Sequence, residues 1–163
     1  MSVELYRIDD RLIHGQVVVG WGKPLGAEFI ALVDDEVAAS DWEQDLYRMG
    51  VPPEMDVYFD SIESAVARLP DYVADQRRGI LLTGDIETMR DLASRSGMIE
   101  YVNIGGVHHR PGRHERLRYV FLTPQEEEQL REIAHGGVEV SAQDVPSAAP
   151  IPLEEVLASR GSA

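Results

Sequence analysis

Short runs of apolar, largely β-branched residues alternate along the chain with longer segments whose apolar positions recur at helical spacing. Val3 to Ile8, Phe29 to Val33, Val57 to Phe59 and Ile80 to Leu82 read as strands, as do Tyr101 to Ile104, Tyr119 to Leu122 and Val138 to Val140. Between them, Val37 to Met49, Ile62 to Leu69, Ile86 to Arg95 and Pro124 to Ala134 read as helices. Ser61, Asp85 and Thr123 stand where N-caps belong, Pro124 suits a first helical turn, and Gly136-Gly137 stops the helix before it. This alternation predicts a mainly parallel sheet with helices on both faces, an open three-layer α/β/α fold. Sites in such sheets lie at the carboxyl ends of the strands.

A length of 163 residues fits one domain spanning 1–163 and supplies a core without a disulfide or metal staple. The weak break at Ser147-Ala-Ala-Pro-Ile-Pro precedes a short helix, Leu153 to Ala158, so 151–163 reads as a terminal helix with a frayed tail after Ser159. With no cysteine, disulfides, thiolate metal sites and cysteine nucleophiles are excluded. The acidic start of the chain does not resemble a secretory signal, and the apolar runs are strand-length, so the expectation is a soluble cytoplasmic protein. A formal charge of −14 disfavours nucleic acid and suits steering toward a basic partner.

Chemistry concentrates just after the first strand, in Asp9-Asp10-Arg11-Leu12-Ile13-His14-Gly15-Gln16. A partly unprotonated imidazole is nucleophilic near neutral pH, so His14 can attack phosphorus through one ring nitrogen while the other is held. Phosphoryl transfer needs alignment and charge stabilisation more than covalent help, and the planar fork of Arg11 supplies the charge. Gly15 lets backbone N–H groups approach, and a helix starting near Gln16 adds a positive dipole end. Asp10 is expected to orient Arg11 or the His14 ring. A histidine after a strand is more often a structural donor, and on chemistry alone that reading outweighs the nucleophile.

The segment Arg7-Ile-Asp-Asp-Arg-Leu-Ile-His-Gly-Gln-Val, followed by Trp21, resembles the phosphorylation-site signature of mannose/fructose/sorbose-family phosphotransferase-system (PTS) B subunits. Val33-Asp-Asp-Glu-Val-Ala, Pro52-Pro53, Val102-Asn-Ile-Gly-Gly-Val-His and Gly112-Arg113 extend the resemblance over the whole chain. It implies a histidine phosphocarrier that takes a phosphoryl group from the A component and passes it to a sugar delivered by membrane C and D components. His14 takes the place of the phosphorylated histidine, with attachment at Nδ1, and Arg11 the place of the phosphate-neutralising group. It also implies association with the permease at the membrane, and no cofactor. A regulatory phosphohistidine module without sugar transport is the alternative, and a homo-oligomer stays open.

His108, His109 and His114 share a stretch with Arg110, Arg113, Arg116 and Arg118. Their irregular spacing and the surrounding cations argue against a metal site, and the arginines read as a solvated or partner-facing loop. Asn103 to Gly112 is expected beside the phosphohistidine or at a partner interface. Thr83-Gly84-Asp85 reads as an ordinary strand-to-helix turn with an aspartate cap, and Trp21 and Trp42 as packing residues.

Overall fold

A computed structural model describes residues 3–160. Seven strands form one sheet: β1 (Val3–Ile8), β2 (Phe29–Val33), β3 (Asp56–Asp60), β4 (Gly79–Thr83), β5 (Tyr101–Ile104), β8 (Glu139–Ala142) and β9 (Ile151–Pro152). Their order is β3-β2-β4-β1-β5-β8-β9, all parallel except the short β9, which pairs antiparallel with β8. β2 and β4 are buried along their whole lengths, as continuous apolar runs in a sheet covered on both sides must be.

A π-helical turn (Gln16–Trp21) continuing into α1 (Gly22–Leu25), with α2 (Asp35–Ala38) and α3 (Asp41–Met49), covers one face. The other is covered by α4 (Ile62–Ala74), α5 (Ile86–Ser96), α6 (Pro124–His135) and α7 (Leu153–Ala158). Ser61, Asp85 and Thr123 cap α4, α5 and α6, the last in a full capping box with Glu126. The chain leaves β1 toward the first face, while its neighbours β4 and β5 lead to helices on the second. The carboxyl end of β1 therefore lies in the crevice where connections diverge, the place where open α/β sheets bind ligands.

Three sequence expectations change. The single helix over Val37 to Met49 is two, because Asp34 accepts from Val37 N at 2.9 Å and Ser40 from Glu43 N at 3.4 Å, each side chain starting a helix. Tyr119 to Leu122 is not part of the main sheet: β7 (Val120–Leu122) pairs antiparallel with β6 (His114–Leu117) in a separate ribbon. The last apolar pair before α7, Ile151–Pro152, is the edge strand β9. The frayed tail after Ser159 falls largely on residues 161–163, outside the described residues.

Candidate functional site

At the end of β1 the ladder runs on for one residue each way: Asp9 N donates to Thr83 O at 2.9 Å, Gly105 N to Ile8 O at 2.7 Å and Asp10 N to Gly106 O at 2.8 Å. Leu12 N then donates to Asp9 O at 3.0 Å, closing a tight turn in which Leu12 adopts φ 61°. A leucine in the left-handed region costs about 1–2 kcal/mol. Packing offsets it: a Cβ on Gly84 would lie 2.6 Å from Leu12 Cδ2, so only glycine admits this side chain. Ile13, Val17, Val18 and Trp21 are buried, and His14 O accepts from Val17 N and Val18 N at 3.0 and 2.9 Å. His14 is thus pinned on both sides at the mouth of a π-helical turn, a distortion common at functional sites.

The His14 side chain is 19% exposed, with Nε2 buried 3.3 Å from Asp9 Oδ1. That is ion-pairing distance, outside good hydrogen-bond alignment. On the other side of the ring, Gln16 N donates to Nδ1 at 3.3 Å in exposed surroundings. These partners assign the ring proton to Nε2 and the lone pair to Nδ1. Arg11 sits beside the ring, its Nε 3.3 Å from Asp9 Oδ1 and its Nη2 donating to Asp9 Oδ2 at 3.4 Å and to Gln16 Oε1 at 2.5 Å.

Asp9, which the sequence reading passed over, is the hub. It is fully buried and faces Arg7, Arg11, His14 and Gly106 N. Burial alone would raise its pKa, but the contacts of His14 and Arg11 and the charge of Arg7 outweigh that and hold the carboxyl well below the usual carboxylate range. Arg7, also buried, donates to Asn103 Oδ1, to Gln143 O at 2.8 Å and to Asp144 O at 3.2 Å, and its guanidinium lies 4.9 Å from the Trp21 ring centre. Desolvation lowers the Arg7 pKa, with Asp9 and Asp144 opposing. Arg7 and Asn103 are register partners across β1 and β5. The signal for both was a charged or amide residue inside a strand buried on both faces.

The glycine pair after β5 exists to leave room. A Cβ on Gly105 would lie 2.3 Å from Arg7 Nη2, and one on Gly106 would lie 2.8 Å from His108 Cε1 and 3.3 Å from Arg11 Nη2. Gly105-Gly106 therefore closes on the same sheet edge as His14. Asp10 is not where expected: its carboxylate accepts from His108 N at 2.7 Å and pairs with His108 Nδ1 at 2.6 Å, with Arg113 3.7 Å away. Adjacent residues of a turn point opposite ways, so Asp9 takes the ring and Asp10 takes the loop. Gly15 is right-handed helical, φ −55°, with nothing within 4 Å of where a Cβ would sit, so it leaves space beside His14 rather than meeting a backbone strain.

The arginine-rich stretch is only in part a loop. Arg113, whose side chain is 7% exposed, makes a two-bond pair with Glu126, and Arg116 one with Glu127. Both partners lie on α6, more than ten residues away, while Arg110 and Arg118 are exposed. His109 packs edge-on against Phe121, and His114 opens β6. Among the described residues no group of three or more histidine, aspartate or glutamate side chains is arranged to hold a metal ion. Thr83 is buried, its hydroxyl donating to Asp85 O at 3.1 Å, and Asp85 caps α5, the ordinary turn. Trp21 packs as expected; Trp42 does not.

With this geometry in view, the sequence matches the family described as PTS system sorbose subfamily IIB component over residues 3–163. The chain belongs to that family. As a IIB component it takes a phosphoryl group from the A component of the phosphotransferase system and passes it to a sugar during uptake. It is 38% identical over 152 residues to a sorbose-specific EIIB component of Klebsiella pneumoniae, covering 90% of each chain. It is 34% identical to an N-acetylgalactosamine-specific enzyme IIB component of Escherichia coli, covering 89% of this chain and 92% of that one. The crystal structure of the IIB domain of the Klebsiella pneumoniae sorbose permease superposes with a TM-score of 0.87 at 32% identity, covering 97% of this chain and 98% of that one. No helix among the described residues is long and apolar enough to cross a membrane.

Proposed function

We propose that His14 is the phosphoryl acceptor of this IIB component and that Nδ1 is the attacking atom. The observation that carries this is the ring's polarity: Nε2 faces the buried Asp9 carboxylate, and Nδ1 faces the exposed side. The Nδ1 lone pair attacks the phosphorus of the A component's phosphohistidine, and the bond from phosphorus to that histidine breaks as the new one forms. The proton stays on Nε2, where ionised Asp9 balances the positive charge the ring gains. Arg11 trades its contacts to Asp9 and Gln16 for the phosphoryl oxygens, leaving Arg7 to neutralise Asp9. Gln16 N, already directed at Nδ1, donates to the same oxygens, and Gly15 keeps that approach open. Asp10 holds His108 and so fixes the loop after Gly106 beside the site.

The partners are the phosphorylated A component, the membrane C and D components and the sugar, with the protein held peripherally at its permease. Relatives named for sorbose and N-acetylgalactosamine support a hexose or a hexose derivative as the sugar. Incubation with phosphorylated A component, followed by mass spectrometry in alkali that preserves phosphohistidine, tests the assignment. His14→Gln should fold and take up nothing, while His108→Gln, His109→Gln and His114→Gln each accept one phosphoryl group. A phosphorylated His14→Gln protein would refute the reading.

A further inference from the structure

Among the described residues α3 is a helix that buries none of its side chains completely, and its outer face is apolar. Trp42 is 70% exposed, Leu46 55% and Met49 83%. At i, i+4 and i+7 they form one stripe along the helix. Acidic residues flank it: Asp41, Glu43 and Asp45, with Arg48 drawn to Asp45 at 3.4 Å and to the Phe59 ring. A soluble helix that leaves a tryptophan, a leucine and a methionine in water on one line presents a contact surface rather than scattered apolar residues.

The stripe is placed to work with the phosphorylation site. α3 is the crossover from β2 to β3, so its Trp42 end lies toward the sheet edge that carries His14. Asp34, the cap of the preceding helix, lies 3.8 Å from the point where a Gly84 Cβ would meet Leu12 of the His14 turn. On that same sheet edge, beyond the ends of β2 and β4, a depression is lined by Asp34, Asp35, Glu36, Asp85, Glu87 and Asp91. An apolar line flanked by Asp41, Glu43 and Asp45, on a molecule with further carboxylates at the same sheet edge, calls for a partner that is apolar in part and strongly basic. A second copy of this chain, at −14, would repel it. Cytoplasmic loops of membrane proteins, by contrast, carry an excess of lysine and arginine.

We propose that α3, with the acidic depression on the same sheet edge, docks this protein on the basic cytoplasmic face of its membrane C and D components, presenting His14 to the sugar. The proposal rests on the reading of those components as the destination of the phosphoryl group. Inverted membrane vesicles carrying the C and D components of the same organism, with saturating phosphorylated A component, provide the test. In the Trp42→Ser/Leu46→Ser/Met49→Ser variant, the KM for the IIB protein in sugar phosphorylation should rise about tenfold or more, with kcat within about twofold. Phosphorylation of this variant by the A component should keep its wild-type rate. Glu36→Lys, at an exposed position, should raise the same KM about threefold and weaken its dependence on salt. Cosedimentation of the unphosphorylated protein with the vesicles should fall in parallel, a readout that stands even if His14 is not the acceptor. Unchanged KM and cosedimentation in both variants would overturn the proposal. So would a slowed step from the A component, which would give the stripe to that partner, or a wild-type dimer that the triple variant dissolves.

Discussion

Two aspartates sit buried at the carboxyl ends of parallel strands, and the molecule treats them in opposite ways. Asp60, ending β3, accepts from Tyr72 OH at 2.5 Å, Ser64 Oγ at 2.7 Å and Arg68 Nη1 at 2.9 Å. All three donors lie four residues apart on α4, one face of one helix. Asp9, just past β1, has its contacts at 3.2 to 3.5 Å, and they come from Arg7, Arg11, His14 and the Gly106 amide. Short bonds from a single rigid element lock a helix onto a sheet. Longer contacts divided among several groups leave those groups free to change partners, as the mechanism proposed for Asp9 requires. A buried acid at a strand end is therefore not a sign of function in itself; the source and length of its contacts decide.

The sharpest way to break this comparison is to remove one charge from each half. Asp9→Asn should slow phosphoryl transfer from the A component by about a hundredfold or more, because the imidazolium loses its counter-charge and Arg11 its anchor. The fold should survive, since Arg7 keeps its carbonyl partners Gln143 and Asp144. Asp60→Asn should do the reverse: stability falls by about 1–3 kcal/mol as Tyr72 OH loses its acceptor and Arg68 its counter-charge, with transfer rates within about twofold. Rapid-mix transfer and thermal melting of both variants measure this, and equal slowing in the two would erase the distinction. Arg11→Lys comes next, keeping the charge but losing the fork. Transfer should slow about tenfold to a thousandfold, or roughly 1.4 to 4 kcal/mol, with an unchanged melting point. Wild-type rates would show that another group neutralises the phosphate.

The same contrast explains what could be read from the sequence. β1, β2 and β5 were legible to the residue, β2 as an unbroken apolar run and β1 and β5 as mainly apolar runs broken only by Glu4, Arg7 and Asn103, and the caps at Ser61, Asp85 and Thr123 act within three residues. His14 and Arg11 could be singled out as candidates because they lie in one short turn, although chemistry alone favoured a structural histidine and the family resemblance carried the choice. Asp9 and Asp10 were not separable: a turn of one residue decides which faces the ring, and the deciding hydrogen bonds go to Thr83 and Gly106. Arg113 and Arg116 read as solvated because their glutamate partners sit on a helix formed later in the chain. The β6–β7 ribbon was hidden for a similar reason, its first strand being polar and only four residues long. Trp42 was assigned to packing because exposure of an aromatic ring leaves no mark in the pattern.

A smaller effect is expected where the Asp9 cluster meets the glycine pair. Gly105→Ala places a methyl carbon 2.3 Å from the Arg7 guanidinium, which is itself confined by Asn103, Gln143 and Trp21 and cannot swing aside. Overpacking of this kind should cost about 1–3 kcal/mol in chemical denaturation, and transfer should slow as Asp9 is displaced. Gly15→Ala is the control, since open space surrounds that position and its backbone is already helical. It should melt within about half a kcal/mol of wild type. Equal stability of the two alanine variants would show that Arg7 is less tightly held than its contacts imply.

The smallest effect, a pH dependence that shows only in acid, concerns the proton on Asp9. Its folded-state pKa lies below the value of about 3.9 for an aspartate in an unfolded chain. As pH falls through that unfolded value, the unfolded chain takes up a proton that the folded protein still refuses, so acid favours unfolding. The stabilisation from Asp9 is thus complete above about pH 5 and is lost progressively below about pH 4, down through the folded pKa. Asp9→Asn has no such proton to gain. Melting temperatures of wild type and variant, followed from pH 7 to pH 3, should keep a constant separation down to about pH 5 and then converge. Other carboxylates contribute to the common decline, Glu126 among them, its pKa lowered against burial by Arg113 and Thr123, but they act in both proteins alike and cancel in the difference. Curves that stay parallel to pH 3 would mean that Asp9 is not held ionised by its neighbours, and that the long contacts around it carry little charge-stabilising force.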